Sequence, residues 1–314
     1  MGHSHHHHHA QLTGRKLGIA FFLSFLVLAV LFVGGWLSGS LALMADAGHV
    51  VTDIAALGLS WYATRQALKP ADPLRTFGYH RTGILAALAN AVSLILIAIY
   101  IAYEAYHRFL DPHEVHSGIM IVAAAIGMVI NLGIGFGLQG ESEHNLNVRS
   151  AFLHVMGDAA ASAGVIVGAI AIFLTGWHWI DPFLSVAIAV FIAYGAWQVV
   201  DESLHILMEG TPRHLDIQEM VARLKAIEGV RDVHDLHVWS IASGVTSMSC
   251  HLVIDDQHVS QSMRLIATCN ELLEHDFRIA HTTIQPEAEH CSPDSPECNL
   301  GMVMPHHHDH DHDH

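Results

Sequence analysis

Long apolar runs separated by short polar stretches dominate the first two thirds of the chain. Stretches 17–37, 82–103, 117–139 and 182–200 contain no Asp, Glu, Lys or Arg. Each has roughly the 20 residues that a helix needs to cross the hydrocarbon layer of a bilayer. Stretches 41–63 and 150–174 are as long but carry charged residues within them. The pattern predicts six spanning helices, two of them polar on one face. The first stretch is longer than the apolar core of a secretory leader and five more follow it, so no cleaved leader is expected. After residue 204 the pattern becomes that of a soluble domain. Asp216 precedes a helical stripe of Ile217, Met220, Val221, Leu224 and Ile227, with Glu219 placed for a capping box and Gly229 where a helix stop belongs. Segments 232–241 and 245–254 read as strands around a Ser243-Gly244 turn, 260–275 as a helix and 277–285 as a last strand. The expected fold is therefore a six-helix transmembrane bundle followed by a C-terminal α+β domain of order α-β-β-α-β. The domain boundaries follow: an N-terminal His-rich segment 1–15, spans within 16–203, an α+β domain 204–290, and a tail 291–314 rich in Cys, His and Asp.

Charge sets the orientation. Counting the short segments alternately, one side of the membrane receives Arg15, Lys16, Arg65, Lys69, Arg75, Arg81 and Arg149, and the other only Arg108. The positive-inside rule then places both termini of a multi-pass membrane protein in the cytoplasm. Only 14% of the 314 residues are charged, and the formal net charge is −16. Such a balance offers no footprint for nucleic acid and suits a region that attracts cations. Cys250, Cys269, Cys291 and Cys298 all lie in the part assigned to the reducing cytosol, which argues against a disulfide framework.

The two charged spans carry the chemistry. His49 is followed four residues later by Asp53, and His154 four residues later by Asp158. That spacing is about one helical turn, so each pair projects from one face. If the faces meet, two imidazoles and two carboxylates form the kind of tetrahedral set that zinc takes. Imidazole with carboxylate also suits cobalt, iron(II), nickel and cadmium, whereas magnesium and calcium favour all-oxygen shells. Ionisable residues at membrane depth mark ion or proton pathways, while one buried polar pair is explained as well by helix packing. Asp46, one turn before His49, is open to two readings: a proton path or partner of a ligand histidine, and a helix-packing hydrogen bond. Small residues dominate the fifth span, from Gly157 to Gly168, and favour close packing against another helix. Glu104 and His107 sit near the outer end of the third span, where they are expected to meet water, and Asp181-Pro182 reads as the start of the sixth.

Four segments resemble the cation diffusion facilitator family, and in particular its bacterial zinc-exporting branch: SGSLALMADAGHVVTDIAALGLS, FGYHRTGILAALANA, NLNVRSAFLHVMGDAAAS and VHDLHVWSI. The resemblance implies transport-site ligands at His49, Asp53, His154 and Asp158, with His and Asp at the first pair the zinc-selecting arrangement. It further implies a homodimer, a cytoplasmic metal-binding domain and exchange of Zn2+ for H+. Zn2+ is then both the cargo and a structural or regulatory ion of that domain. For the domain the resemblance points to His237, His281 and Glu287, and to Cys291 and Cys298 from the tail. His234 and His251 are further candidates. On a regular strand His234 and His237 face opposite sides, so they serve one site only if the strand bends. The loop at 64–81 departs from the metal-binding pattern of some members. Arg75 and Tyr79 stand at ligand positions and only Asp72 and His80 remain, so its basic residues are expected to face anionic lipid instead. Histidine runs at both ends, with His5, His7, His306, His308 and His310 among them, suit low-affinity metal capture.

The expected function is therefore zinc/proton antiport by alternating access around the two His-x-x-x-Asp turns. Two alternatives stay open: efflux of a broader set of divalent ions (Cd2+, Co2+, Ni2+, Fe2+), and a membrane-bound metal sensor, which gives no reason for ligands on two spanning helices. An intramembrane metalloprotease is disfavoured, since no His-Glu-x-x-His helix occurs and His113-Glu114-Val115-His116 has the wrong spacing. No enzymatic activity is expected.

Overall fold

The computed structural model describes residues 5–142, 146–242 and 244–289. The chain divides between Leu204 and His205 into two compact units. The first holds six helices: α1 (His5–Ser38), α2 (Leu41–Ala67), α3 (Thr82–Leu110), α4 (Ser117–Ser142), α5 (Leu146–Thr175) and α6 (Ile180–Leu207). All six are long and apolar enough to cross a membrane. The break between α1 and α2 is two residues long, Gly39 and Ser40. Gly39 takes a left-handed φ of 70°, a conformation that costs a residue with a Cβ. Ser40 then turns extended and its Oγ accepts from the Leu43 amide at 3.2 Å. A cap of this type is worth about 1 kcal/mol.

Helices α1, α2, α4 and α5 share one packed centre, built from Val27 and Leu31, Leu43, Ala47 and Val50, Met120 and Ala123, and Val165 and Ala169. Helices α3 and α6 join it through small residues. Ala45 of α2 packs with Ala98 and Ile101 of α3 and Ala189 of α6, and Ala91 packs with Ala196 and Val200. Alanines on both sides let the helix axes approach closely, which is how helices associate where lipid removes the hydrophobic drive. The outward faces carry Trp36, Phe136, Phe173 and Phe191, all widely exposed. Apolar surface of this kind is stable against acyl chains rather than water.

The second unit contains α7 (Ile217–Lys225), β1 (Val230–Ala242), β2 (Val245–Ile254), α8 (Val259–Phe277) and β3 (Ile279–Glu287). The sheet order is β1-β2-β3, with β1 antiparallel and β3 parallel to β2. A parallel pair needs a crossover, and α8 supplies it. Asp216 caps α7 by accepting from the Gln218 and Glu219 amides. Alternate residues of β2, namely Met248, Cys250, Leu252 and Ile254, pack with Met220 and Leu224 of α7 and Cys269 and Leu273 of α8. The other alternation, Ser247, Ser249, His251 and Val253, therefore lies on the face turned from this core. Burial pushes the Cys250 and Cys269 thiols up to about 12 and about 11, so both act as small apolar core residues.

Candidate metal centre

The two His-x-x-x-Asp turns meet. Asp53 is the hub, with its Oδ2 3.1 Å from His154 Nε2 and 3.6 Å from His49 Nε2. Asp158 closes the group, with Oδ1 3.8 Å from His49 Nε2 and Oδ2 3.7 Å from His154 Nε2. Ligand atoms of His49, Asp53 and His154 all lie within 4.8 Å of one another. A tetrahedral zinc ion with bonds of about 2.0–2.1 Å keeps its donors about 3.3 Å apart. The measured separations bracket that value, so a small contraction suffices to close a shell. The imidazole rings stand edge to face, 5.8 Å apart.

A cavity of about 630 Å³ reaches this group. Its walls include Phe21 and Ser24 of α1, Asp53, Leu57 and Ser60 of α2, Asn131 and Leu138 of α4, and Ala151, His154 and Asp158 of α5. These residues run from the level of the ligands towards the end of the bundle where α1 begins. No residue of α2 earlier than Val50 lines it. Helix α5 lies mainly along α4 and its contact with α2 is slight, while residues of both α2 and α5 line the cavity. Asp46 sits on the far side of the ligands and is 4% exposed. Its Oδ2 has no hydrogen-bond partner among the described residues.

Other polar residues of the spans have partners that the sequence did not show. Glu104 is partly exposed and pairs with Arg108, Oε1 to Nε at 3.1 Å. Asp181 is fully buried and accepts from Ser40 and the first amides of α2, whereas the sequence showed only a helix start. In the 64–81 loop the Asp72 carboxylate accepts from Tyr79 Oη and from the Leu74 and Arg75 amides, each at 2.8 Å. The Tyr79 bond comes first among the causes that hold Asp72 below the usual carboxylate range. The Arg75 and Lys69 cations lie over the Tyr79 ring at 4.8 and 5.6 Å.

In the second unit a different histidine group forms from the one the resemblance put first. His234, His251 and Glu287 place ligand atoms within 4.8 Å of one another. Glu287 bridges the pair, with Oε2 3.2 Å from His234 Nε2 and Oε1 3.0 Å from His251 Nδ1. Among the described residues His237 and His281 join no such group with Glu287. His237 Nε2 lies 3.2 Å from Asp235 Oδ1 instead. The required bend is present. Asp235 adopts a left-handed φ of 50° and the ladder shifts register between His234 and His237. One extra residue returns both histidines to a single face, where His234 pairs with His251, His237 with Ser249 and His281 with Ser247. The odd spacing around an aspartate, a residue that tolerates the left-handed region, was the available signal. His5 and His7 fall in the opening turns of α1, with side chains outside the description. Cys291, Cys298, His306, His308 and His310 lie outside the described residues.

Six helices long and apolar enough to span a membrane, with two histidines and two aspartates brought together between α2 and α5, define an integral membrane protein suited to handling cations. The chain belongs to the cation efflux family: its residues 17–208 match the family's transmembrane domain and 212–289 its cytoplasmic domain. It is 40% identical over 287 residues to a cadmium, cobalt and zinc/H(+)-K(+) antiporter of Bacillus subtilis (strain 168), covering 90% of this chain and 92% of that protein. It is 40% identical over 301 residues to the zinc transporter ZitB of Yersinia pestis, covering 94% and 95%. A third relative, the metal cation efflux system protein CzcD of Cupriavidus metallidurans, is 40% identical over 290 residues, covering 92% and 91%. Among solved structures, the metal-bound C-terminal domain of the CzcD transporter matches at 36% identity and a TM-score of 0.22, covering 23% of this chain and 99% of that one. The chain is thus a multi-pass metal cation efflux transporter and not an enzyme.

Proposed function

We propose that the protein exports Zn2+ from the cytoplasm in exchange for protons, with His49, Asp53, His154 and Asp158 as the transport site. The observation that carries this reading is the meeting of the four side chains within 3.1–3.8 Å at the head of one cavity. Neutral imidazole and ionised carboxylate bind the ion, and protonation of the same groups releases it. The imidazoles and carboxylates are the proton carriers of the set, since each gives up its proton to bind the metal. The cavity serves as the entry route, and the charge bias of the loops puts its mouth on the cytoplasmic side of the inner membrane. Rocking of the helices around the fixed ligands then exposes the ion outward. Asp46, a buried carboxylate beside the ligands and away from the cavity, serves the proton on its outward course.

The second unit acts as the cytoplasmic domain, holding a further zinc ion between His234, His251 and Glu287 and joining two copies as a homodimer. The donor chemistry fits zinc, and the remaining coordination position is open to His237, Asp235 or the tail cysteines Cys291 and Cys298. The histidine-rich ends gather metal at low affinity. A wider cargo range is favoured by one observation, the cadmium, cobalt and zinc specificity in the name of the Bacillus subtilis relative.

The test is zinc titration of the purified full-length protein at neutral and mildly acid pH, with proton release recorded. Binding at the transport site is expected to release protons and to weaken by about tenfold or more per pH unit when two protons compete. Binding that is indifferent to pH would overturn the exchange mechanism.

A further inference from the structure

The end of the bundle opposite the cavity is held by one fully buried carboxylate. Asp181, in the first turn of α6, has no exposed surface. Its Oδ1 accepts from Ser40 Oγ at 2.5 Å and from the Ala42 amide at 3.3 Å, and its Oδ2 accepts from the Leu41 amide at 2.7 Å. These donors open α2, the helix that carries His49 and Asp53. An anion accepting the orphan amides of a helix N-terminus is favoured both by hydrogen bonding and by the helix dipole. Here the acceptor comes from another helix, so the cap is also a tether.

Arg108 extends the tether to α3. Its Nη1 lies 3.9 Å from Asp181 Oδ2 and donates to the Gly39 carbonyl at 2.6 Å, while Nε binds Glu104 at 3.1 Å. The start of α4 is drawn in as well, since the His116 amide donates to the Ser38 carbonyl at 2.9 Å and the Val115 amide to His178 Nδ1 at 3.2 Å. The ends of α3, α4 and α6 are therefore each tied to the α1–α2 junction, and below it Ala45 is sealed against Ala98, Ile101 and Ala189. His49 follows Leu41 by eight residues, about 12 Å along the helix axis. No cavity-lining residue comes from that interval. One end of the path is open and the other is latched.

We propose that Asp181 is a positioning residue for transport: it latches α6 to the start of α2, closes the far end of the path, and must let go for the ion to leave. This rests on the transport reading above. An apolar seal alone would close the path too, but it would not fix the start of α2 through three directed bonds to one carboxylate. Asparagine fills the same volume yet presents one acceptor oxygen in place of two, so Asp181→Asn weakens the latch without opening a cavity.

The experiment compares the full-length protein, its Asp181→Asn variant and its Ser40→Ala variant. Zinc uptake is measured in proteoliposomes, zinc stoichiometry in detergent, and amide exchange by mass spectrometry. Asp181→Asn is expected to bind as much zinc as the unaltered protein, to keep its KM within about threefold, and to lose about tenfold in maximal rate, the signature of a conformational step rather than of binding. Amides at 38–46 should exchange faster, while those at 217–289 do not change. Ser40→Ala, which removes one of the three donors, should show the same split at smaller size. The proposal is overturned if rate and exchange stay at their unaltered values in both variants, or if rate falls only in proportion to lost zinc stoichiometry. Should Asp181→Asn not accumulate folded, Ser40→Ala decides alone, and a full rate with unchanged exchange sinks the latch. If the unaltered protein moves no zinc, the transport reading fails, and amide exchange still judges the latch.

Discussion

Asp53 and Asp158 do unequal work among the four ligands. Asp53 places one oxygen within reach of both imidazoles, whereas Asp158 uses a different oxygen for each. Replacing either by alanine leaves two histidines and one carboxylate, too few charges to offset zinc in a site of low dielectric. Asp53→Ala and Asp158→Ala are each expected to abolish zinc uptake in proteoliposomes while chromatography still shows the folded dimer; uptake retained by both would remove this site from the account. The proton role proposed for Asp46 makes a different prediction, one that spares metal binding. Asp46→Asn should slow zinc–proton exchange about a hundredfold with zinc affinity within about threefold, the lower end of the usual scale for a lost proton-transfer group. Equal losses in affinity and rate would make Asp46 a structural partner instead. The His/Asp pairs on α2 and α5 were legible from sequence because turn spacing alone puts His and Asp on one helix face. Asp181 was not, since its partners Ser40, Leu41 and Ala42 lie some 140 residues away and no local pattern announces a tether of that span. The Asp72–Tyr79 bond was hidden for a related reason: Tyr79 read as a missing ligand when its hydroxyl serves Asp72, one of the two that remain.

At the scale of elements, spans and strands declared themselves through period, and errors came from single residues that change it. Six apolar runs gave six helices because lipid demands internally satisfied backbone, which leaves few alternatives. The strand β1 is a counter-example. Alternation put His234 and His237 on opposite faces, and one left-handed Asp235 brought them to the same one. His234 and His251 flank Glu287 because they pair beside it, whereas His237 and His281 pair further along the sheet, at Ser249 and Ser247. His251→Ala and Asp158→Ala should each remove one zinc per protomer from the full-length protein, and the double variant two. Additive loss follows if the two groups are independent. A single variant that empties both would show coupling between the units. The helix-facing side of the same sheet governs stability and thiol chemistry. Met248 and Leu273 are fully buried, and truncating either to alanine should cost about 2–5 kcal/mol of domain stability in denaturant unfolding. With the Cys250 thiol pushed up to about 12, its thiolate fraction at neutral pH is about a thousandfold below that of an unperturbed thiol. Alkylation followed by peptide mass spectrometry should leave Cys250 unmodified until the domain unfolds, and rapid labelling in the folded state would contradict the packing described.

For the whole molecule the same architecture explains why cargo, proton and direction belong together. The site is built of groups that take either a metal or protons, the cavity reaches it from one end, and Asp181 holds the other end shut. Only a protein that opens those ends in turn converts a proton gradient into metal export, because a path open at both ends would dissipate the gradient. The histidine-rich termini lie outside this cycle. Deleting 306–314 should alter apparent zinc affinity by no more than about threefold, as expected for capture groups that raise local supply without entering the site. The central claim is that zinc moves through the four ligands at the expense of protons. Its most direct measurement is zinc flux into proteoliposomes containing a zinc-sensitive dye, with and without a pH gradient, for the unaltered protein and Asp158→Ala. The account predicts flux that rises and reverses with the gradient and vanishes in the variant. Flux that ignores the gradient, or that survives Asp158→Ala, would contradict it.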